Sequence, residues 1–264
     1  MGAQRAALQL HRFPDGESLV RLDADVTGRT VVIVASLAQP DAKALPLLFA
    51  ADAARDLGAT RVLLAAPYLA YLRQDRRFNT GEAITSRTFA ALVSTVFDGI
   101  VTVDPHTFNV LKKDYSGLPP VRHITEVLLA ALRAGRLRFA AAEGPQLVYT
   151  YHDPCYLGRH NLLYDEPRQL LDALPGMKRV EMTKHRDRSF CCSGGGLALF
   201  YEPEEETRMG VLRVNMAREA GADVLVTACP FCLINMEDAI KIAGLEGKLQ
   251  VVDLTELLIS RLVV

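Results

Sequence analysis

The sequence predicts an α/β protein built as two halves, each a parallel sheet covered by helices in three Rossmann-like layers, and able to share a pseudo-symmetric arrangement. Three observations carry this. Short runs rich in β-branched residues stay apolar along their whole length, longer amphipathic stretches separate them, and no internal repeat or low-complexity segment interrupts the alternation. Strands that are apolar throughout are buried on both faces, as in a parallel sheet flanked by helices.

Taken in order, residues 30–36 (TVVIVAS), 61–66 (RVLLAA) and 99–103 (GIVTV) read as buried strands bounded by loop residues. Between them, residues 42–57 and 86–97 carry apolar side chains at helical spacing, which is βαβ grammar. The later part repeats it. A helix over 124–134, a strand at 146–151, a helix over 166–174 and a strand at 179–182 are followed by a helix over 205–220, a strand at 223–227, a helix over 233–242, a strand at 249–252 and a final helix. The softest stretch is 104–120, which holds DPH and then KKDYSGLPP. The expected domains are therefore 1–106 and 107–264.

A chain of 264 residues can build a substantial core. Formal net charge is −1 with a pI near 6.6, which gives no electrostatic basis for a nucleic-acid or membrane-surface partner. No apolar run approaches the roughly 20 residues needed to span a bilayer, and the N-terminus lacks a secretory apolar segment. A cytoplasmic location is expected. In a reducing compartment an odd number of clustered cysteines favours metal or redox chemistry over structural disulfides.

All five cysteines fall in one pattern: Cys155, then the adjacent pair Cys191 and Cys192, then Cys229-Pro-Phe-Cys232. Thirty-five residues separate the first from the pair and thirty-six separate the pair from the last motif, so the thiols can converge at loop ends of one α/β domain. Thiolates are ligands of zinc and of iron-sulfur clusters. Adjacent cysteines do not easily share one tetrahedral zinc, but they can bind different irons of one cluster. Ser193-Gly194-Gly195-Gly196 follows the pair, where glycines let backbone N–H groups approach a bulky ligand. Structural zinc and incidental buried cysteines stay open at this point.

The runs His152-Asp-Pro-Cys155-Tyr-Leu-Gly-Arg159, Ser189-Phe-Cys191-Cys192-Ser-Gly-Gly-Gly196 and Thr227-Ala-Cys229-Pro-Phe-Cys232 resemble the cysteine-rich CCG domain of heterodisulfide-reductase-like iron-sulfur oxidoreductases. The resemblance extends over about residues 105–262. It implies that Cys155, Cys191, Cys192, Cys229 and Cys232 bind a 4Fe-4S cluster, noncubane in some members, used for electron transfer or disulfide reduction. It also implies a redox partner subunit carrying flavin or iron-sulfur groups. Two departures stand out. Ser193 replaces the usual glycine after the double cysteine, and Asp104 and Thr107 stand where related two-part proteins have cysteines of an upstream cluster-binding half.

The earlier residues resemble another family. Phe13-Pro-Asp15-Gly-Glu17, Arg73-Gln74-Asp75-Arg76-Arg77-Phe78, Gly81-Glu82 and Asp104-Pro-His106 resemble the N-terminal half of ribose-phosphate pyrophosphokinase. That resemblance implies Mg-ATP binding through Phe13, Asp15, Glu17, Arg73 and Gln74, magnesium at His106, and contact with a neighbouring copy in a homo-oligomer. The later pentose-phosphate loop, with its two successive aspartates, has no counterpart, because the sequence contains no Asp-Asp pair. Donor and acceptor could not be held in line, and positioning supplies most of the catalysis in phosphoryl transfer.

The leading expectation is an iron-sulfur redox protein. A truncated pyrophosphokinase-like Mg-ATP binder without turnover, and an engineered or computed chimera joined at Pro105-His106 with no catalytic activity, are the alternatives. His152 and Asp153 are expected either to tune a cluster through hydrogen bonds or to form a structural turn. His123, His160 and His185 are expected at the surface or as caps, and the acidic run at 202–206 as a solvated helix start.

Overall fold

The computed structural model describes residues 4–115, 117–142, 144–195 and 208–263. Gly196, the acidic run at 202–206 and the expected helix start at 205 lie outside them. The chain forms two compact units, one up to Ile124 and one from Thr125 on. Both are α/β units with a parallel sheet, as the sequence predicts.

The first unit opens with a feature absent from the sequence expectations, an antiparallel hairpin of β1 (Ala7–Arg12) and β2 (Ser18–Asp23). Every residue of β1 is exposed, although its sequence alternates Leu8 and Leu10 with Gln9 and His11, the period-2 signal of a strand. Phe13 N–H donates to the Glu17 carbonyl at 2.8 Å, and Gly16, at φ 94°, supplies the left-handed residue of the turn. The main sheet follows: β3 (Thr30–Val34), α1 (Asp41–Asp56), β4 (Arg61–Ala66), α2 (Thr85–Val96), β5 (Gly99–Thr102), α3 (Pro105–Lys113) and β6 (Val121–His123). The strands lie side by side in chain order, all parallel. Val62 and Leu64 of β4, Phe89 and Val93 of α2, and Ile100 of β5 form the centre of its core.

Helix α3 occupies most of the stretch expected to be the softest. Asp104 is its N-cap, its carboxylate accepting from the N–H groups of His106 and Thr107, and Pro105 occupies the first turn, where a missing N–H costs nothing. The glycine and two prolines that make this region read as loop come only after the helix, at residues 117–120.

The second unit comprises α4 (Ile124–Arg133), β7 (Leu147–Tyr151), α5 (Asp165–Asp172), β8 (Met177–Arg179), a 3₁₀ turn at Arg186–Arg188, α6 (Met209–Glu219), β9 (Val224–Thr227), α7 (Pro230–Ile242), β10 (Gln250–Asp253) and α8 (Leu254–Ser260). Its parallel sheet has the order β10-β9-β7-β8. From β7 the chain moves outward to β8, then returns to place β9 on the opposite flank of β7. This reversal leaves a crevice at the carboxyl ends of β7 and β9, where ligands bind in open α/β sheets. Helix α7 starts at Pro230 rather than 233, because Cys229 caps it. Strand β8 ends before Glu181, whose carboxylate turns to Arg168. Among the described residues no helix is long and apolar enough to cross a membrane.

His123, expected near the surface, is instead fully buried at the end of β6, with Nε2 on the Val103 carbonyl at 3.1 Å. Pattern reading missed this because polar neighbours in sequence do not stay neighbours in space. Burial lowers its pKa from 6.5 to about 4, so it is neutral in the fold. An unfolded chain takes up the proton first as pH falls. Its stabilising effect is therefore complete above pH 6.5 and is lost on descending to about 4. Stability measured by urea unfolding should fall by on the order of 3 kcal/mol across that window, and His123→Gln should flatten the profile. An unchanged slope in the variant would contradict this assignment.

Candidate metal centre

The thiols are assembled by the crevice between β7 and β9. Cys155 lies in the turn after β7, Cys229 directly follows β9, and Cys191 and Cys192 arrive on the loop after β8. Cys192 and Cys232 Sγ atoms are 3.2 Å apart. Cys191 hydrogen-bonds with both Cys155 and Cys192, and Cys232 with both Cys192 and Cys229. The five thus form one continuous chain: Cys155, Cys191, Cys192, Cys232, Cys229. None is in a disulfide, the last three are buried, and Cys155 and Cys191 are half-buried.

Backbone donors converge on the same sulfurs. Ser193 N–H reaches Cys191 Sγ at 3.3 Å, Gly194 N–H reaches Cys192 Sγ at 3.3 Å, and Cys232 N–H reaches Cys229 Sγ at 3.5 Å. Cys229 and Cys232 also occupy the N-cap and first turn of α7, where the unpaired N–H groups and the dipole favour thiolates. Gly194 is required sterically, since a Cβ there would stand 2.9 Å from the Phe231 carbonyl oxygen. Ser193 adopts φ 66°, so the position that departs from the family glycine is the one where a glycine would be relaxed.

The thiols share their protons unevenly. Hydrogen bonds from Cys155 and Cys192, with the Ser193 N–H, push the Cys191 thiol well below its ordinary value. The bond to Cys191 raises Cys155 and Cys192, and the bond to Cys192 raises Cys232. A largely buried set of thiols with one favoured thiolate is a site that a cation would complete. Soft donors suit zinc, copper(I) or an iron-sulfur cluster, and five sulfurs, two of them adjacent, with N–H groups directed at them, fit the cluster best.

Two buried arginines, absent from the sequence expectations, frame the pocket. Arg168 of α5 binds both oxygens of Asp153, at 2.6 and 2.9 Å, and both oxygens of Glu181, at 2.8 and 3.0 Å. Burial opposes its charge, yet these bonds hold its pKa above the ordinary arginine value. Asp153 Oδ2 also accepts from the Arg186 N–H, and its carbonyl from Ser189 Oγ. Arg213 of α6 donates Nε to His152 Nδ1 at 2.9 Å. A His152 ring nitrogen and the Cys192 and Cys232 sulfurs lie within 4.8 Å of one another. The hydroxyl of Tyr151, buried with no hydrogen-bond partner among the described residues, lies in the electrostatic reach of Cys232 and Cys229. Burial lowers the His152 pKa far below 6.5, so the ring is neutral. Of the other histidines, His160 is exposed and stacked on Tyr156, and His185 precedes the 3₁₀ turn.

The nucleotide candidates fall in the first unit on separate elements. Phe13, Asp15 and Glu17 lie in and beside the hairpin turn, and Asp15 accepts from the Glu17 N–H. Arg73 is exposed on the loop between β4 and α2, while Gln74 donates to Glu82 at 3.0 Å. Glu82 also accepts from Phe78 and Asn79, closing that loop on itself. Among the described residues no hydrogen bond or ion pair joins the hairpin turn to Arg73 or Gln74. His106 Nδ1 meets Asp104 Oδ1 at 3.1 Å.

Fold and site together define the second unit as a parallel α/β domain with five thiols gathered at its topological switch point. Residues 149–237 match the family described as a cysteine-rich domain, CCG. Residues 1–96 match the N-terminal domain of ribose phosphate pyrophosphokinase, so the chain is of two parts. Among curated relatives, a probable iron-sulfur-binding oxidoreductase, FadF, of Bacillus subtilis is 38% identical over 166 residues, 60% of this chain and 23% of that protein. A component of the dihydromethanophenazine:CoB–CoM heterodisulfide reductase of Methanosarcina barkeri is 37% identical over 142 residues, 54% of this chain and 34% of that one. A ribose-phosphate pyrophosphokinase of Methanopyrus kandleri is 39% identical over 149 residues, 56% of this chain and 48% of that enzyme. The chain thus spans under half the length of each.

Replacing Arg168 by Met leaves Asp153 buried without its cation, and should cost on the order of 3–5 kcal/mol of second-unit stability in urea unfolding. A loss below about 1 kcal/mol, the range of an exposed pair, would refute its structural role.

Proposed function

We propose that this chain is an iron-sulfur redox protein in which Cys155, Cys191, Cys192, Cys229 and Cys232 hold one 4Fe-4S cluster, cubane or noncubane. The observation that carries the reading is the unbroken chain of five thiols at the crevice. When bound, a cluster of this kind supplies one-electron transfer at a potential set by its charge, hydrogen bonds and exposure. The residues present supply the rest: N–H groups from Ser193, Gly194 and Cys232 that favour thiolate over thiol, and burial of Cys192, Cys229 and Cys232 that limits access of water. Similarity to an iron-sulfur-binding oxidoreductase and to a heterodisulfide reductase component supports electron relay or disulfide reduction, alongside a flavin- or iron-sulfur-bearing partner subunit.

Anaerobic purification and reconstitution, followed by iron and sulfide analysis and visible spectroscopy, tests it. The protein should be coloured and hold iron and sulfide together, and Cys229→Ser or Cys192→Ser should lose most of both. A colourless, iron-free wild-type protein after reconstitution would reject the proposal, and stoichiometric zinc alone would replace it with a structural metal site.

A second reading, Mg-ATP binding by the first unit without turnover, is favoured by the match of residues 1–96. It would use Phe13, Asp15, Glu17, Arg73 and Gln74, with magnesium at His106. Against it weigh the bond that occupies Gln74 and a sheet whose strands run in one direction with no reversal. Calorimetric titration of the full chain with Mg-ATP should give no saturable heat at millimolar nucleotide; a saturable signal lost in Arg73→Ala would favour this reading.

A further inference from the structure

Arg213 is fully buried, in the face of α6 that also buries Gly210, Val214 and Ala217. Its donors go to neutral acceptors: Nε to His152 Nδ1, Nη1 to the Lys184 carbonyl at 2.7 Å, and Nη2 to Ser189 Oγ at 3.3 Å, with Met216 Sδ at 3.9 Å from Nη1. Among the described residues no carboxylate pairs with it. The buried carboxylate of the neighbourhood, Asp153, is committed at both oxygens to Arg168. Burial lowers the Arg213 pKa only to about 10, so it remains a cation at neutral pH.

An uncompensated buried charge costs several kcal/mol unless an opposite charge lies nearby. After Asp153, the groups whose field favours the Arg213 charge are the Cys192 and Cys232 sulfurs, which become anionic as metal-bound thiolates. The Nε–H bond also requires an unprotonated Nδ1 on His152, which leaves the imidazole proton on Nε2. His152 is thereby a fixed donor whose ring lies beside the same two sulfurs.

We infer that Arg213, acting through His152, is a positioning residue that supplies the fixed positive charge opposite the five-thiol centre and so raises the reduction potential of the group bound there. This rests on the iron-sulfur reading above. A thiolate-ligated cluster is anionic and gains a further negative charge when one electron enters, so a fixed buried cation stabilises the reduced form more than the oxidised one. No bond or proton transfer is required. The effect is distinct from scaffolding, because a neutral residue of similar shape removes it.

The test uses the reconstituted full chain as wild type, Arg213→Lys and Arg213→Gln, with iron and sulfide content measured first and the midpoint potential of the loaded protein second. Arg213→Lys retains the charge and Arg213→Gln retains hydrogen bonding without it. Arg213→Gln should show a reduction equilibrium constant about tenfold lower than wild type, about 59 mV for a one-electron couple, with Arg213→Lys closer to wild type. Retention of iron by wild type and Arg213→Lys but not by Arg213→Gln also supports the charge role. Equal potentials in the two variants, or loss of iron from both while wild type stays loaded, overturns the inference and leaves the iron-sulfur reading standing. An iron-free wild type removes both.

Discussion

The Asp153–Arg168 pair is the constraint on which the geometry of the second unit depends. Asp153 follows β7 by two residues. Its carboxylate grips α5 through Arg168 and the 3₁₀ turn through the Arg186 N–H, and its carbonyl takes the Ser189 hydroxyl. One residue thereby ties the exit of β7, which leads to Cys155, to the loop that delivers Cys191 and Cys192. Buried ion pairs add little net stability against a well-packed apolar alternative. What this one supplies is direction: without it, thiols from three loops have no common reference.

The second consequence is electrostatic. With Arg168 neutralised by Asp153 and Glu181, the positive charge left inside the unit, among the described residues, belongs to Arg213. Cys229 and Cys232, at the start of α7, meet the positive end of a helix as well. The backbone N–H groups on Cys191, Cys192 and Cys229 point the same way. Several independent features of the pocket therefore favour negative charge on sulfur, while its burial opposes any charge left uncompensated. A cationic metal group would satisfy both demands.

The parallel sheets of both units and the gathering of the cysteines were legible in the sequence, because strands of parallel sheets run apolar and the thiols lie in the loops that follow strands; β3, expected to be buried, instead leaves Val32 and Val34 exposed, because it is an edge strand. The hairpin was not read, although β1 alternates Leu8 and Leu10 with polar residues and Pro14, Asp15 and Gly16 mark the turn, because the strand is short and packs no face into the core. Helix α3 was hidden by the prolines and glycine that follow it, although Asp104-Pro105 is itself a helix-start signal. The two arginines were missed for a different reason. Arg213 shares a helical stripe with Gly210, Val214 and Ala217, and Arg168 shares one with Leu171. An arginine within an apolar stripe is the available signal, but long side chains on such faces commonly reach solvent, so spacing alone does not distinguish a buried cation from an exposed one.

Topology explains why the thiols gather in the second unit. In the first sheet each new strand is added on the same side as the last, and β6 continues that series directly beside β5. A series of strands added in one direction contains no switch point. The second sheet reverses at β7, and the loops leaving β7 and β9 must diverge to opposite faces. That divergence opens the space into which Cys155 and Cys229 project their loops, and the Asp153-anchored loop brings the remaining pair. The cysteine spacing noted in the sequence is thus the trace of strand order: one motif for each strand flanking the switch point, with the pair returning from the edge strand between them.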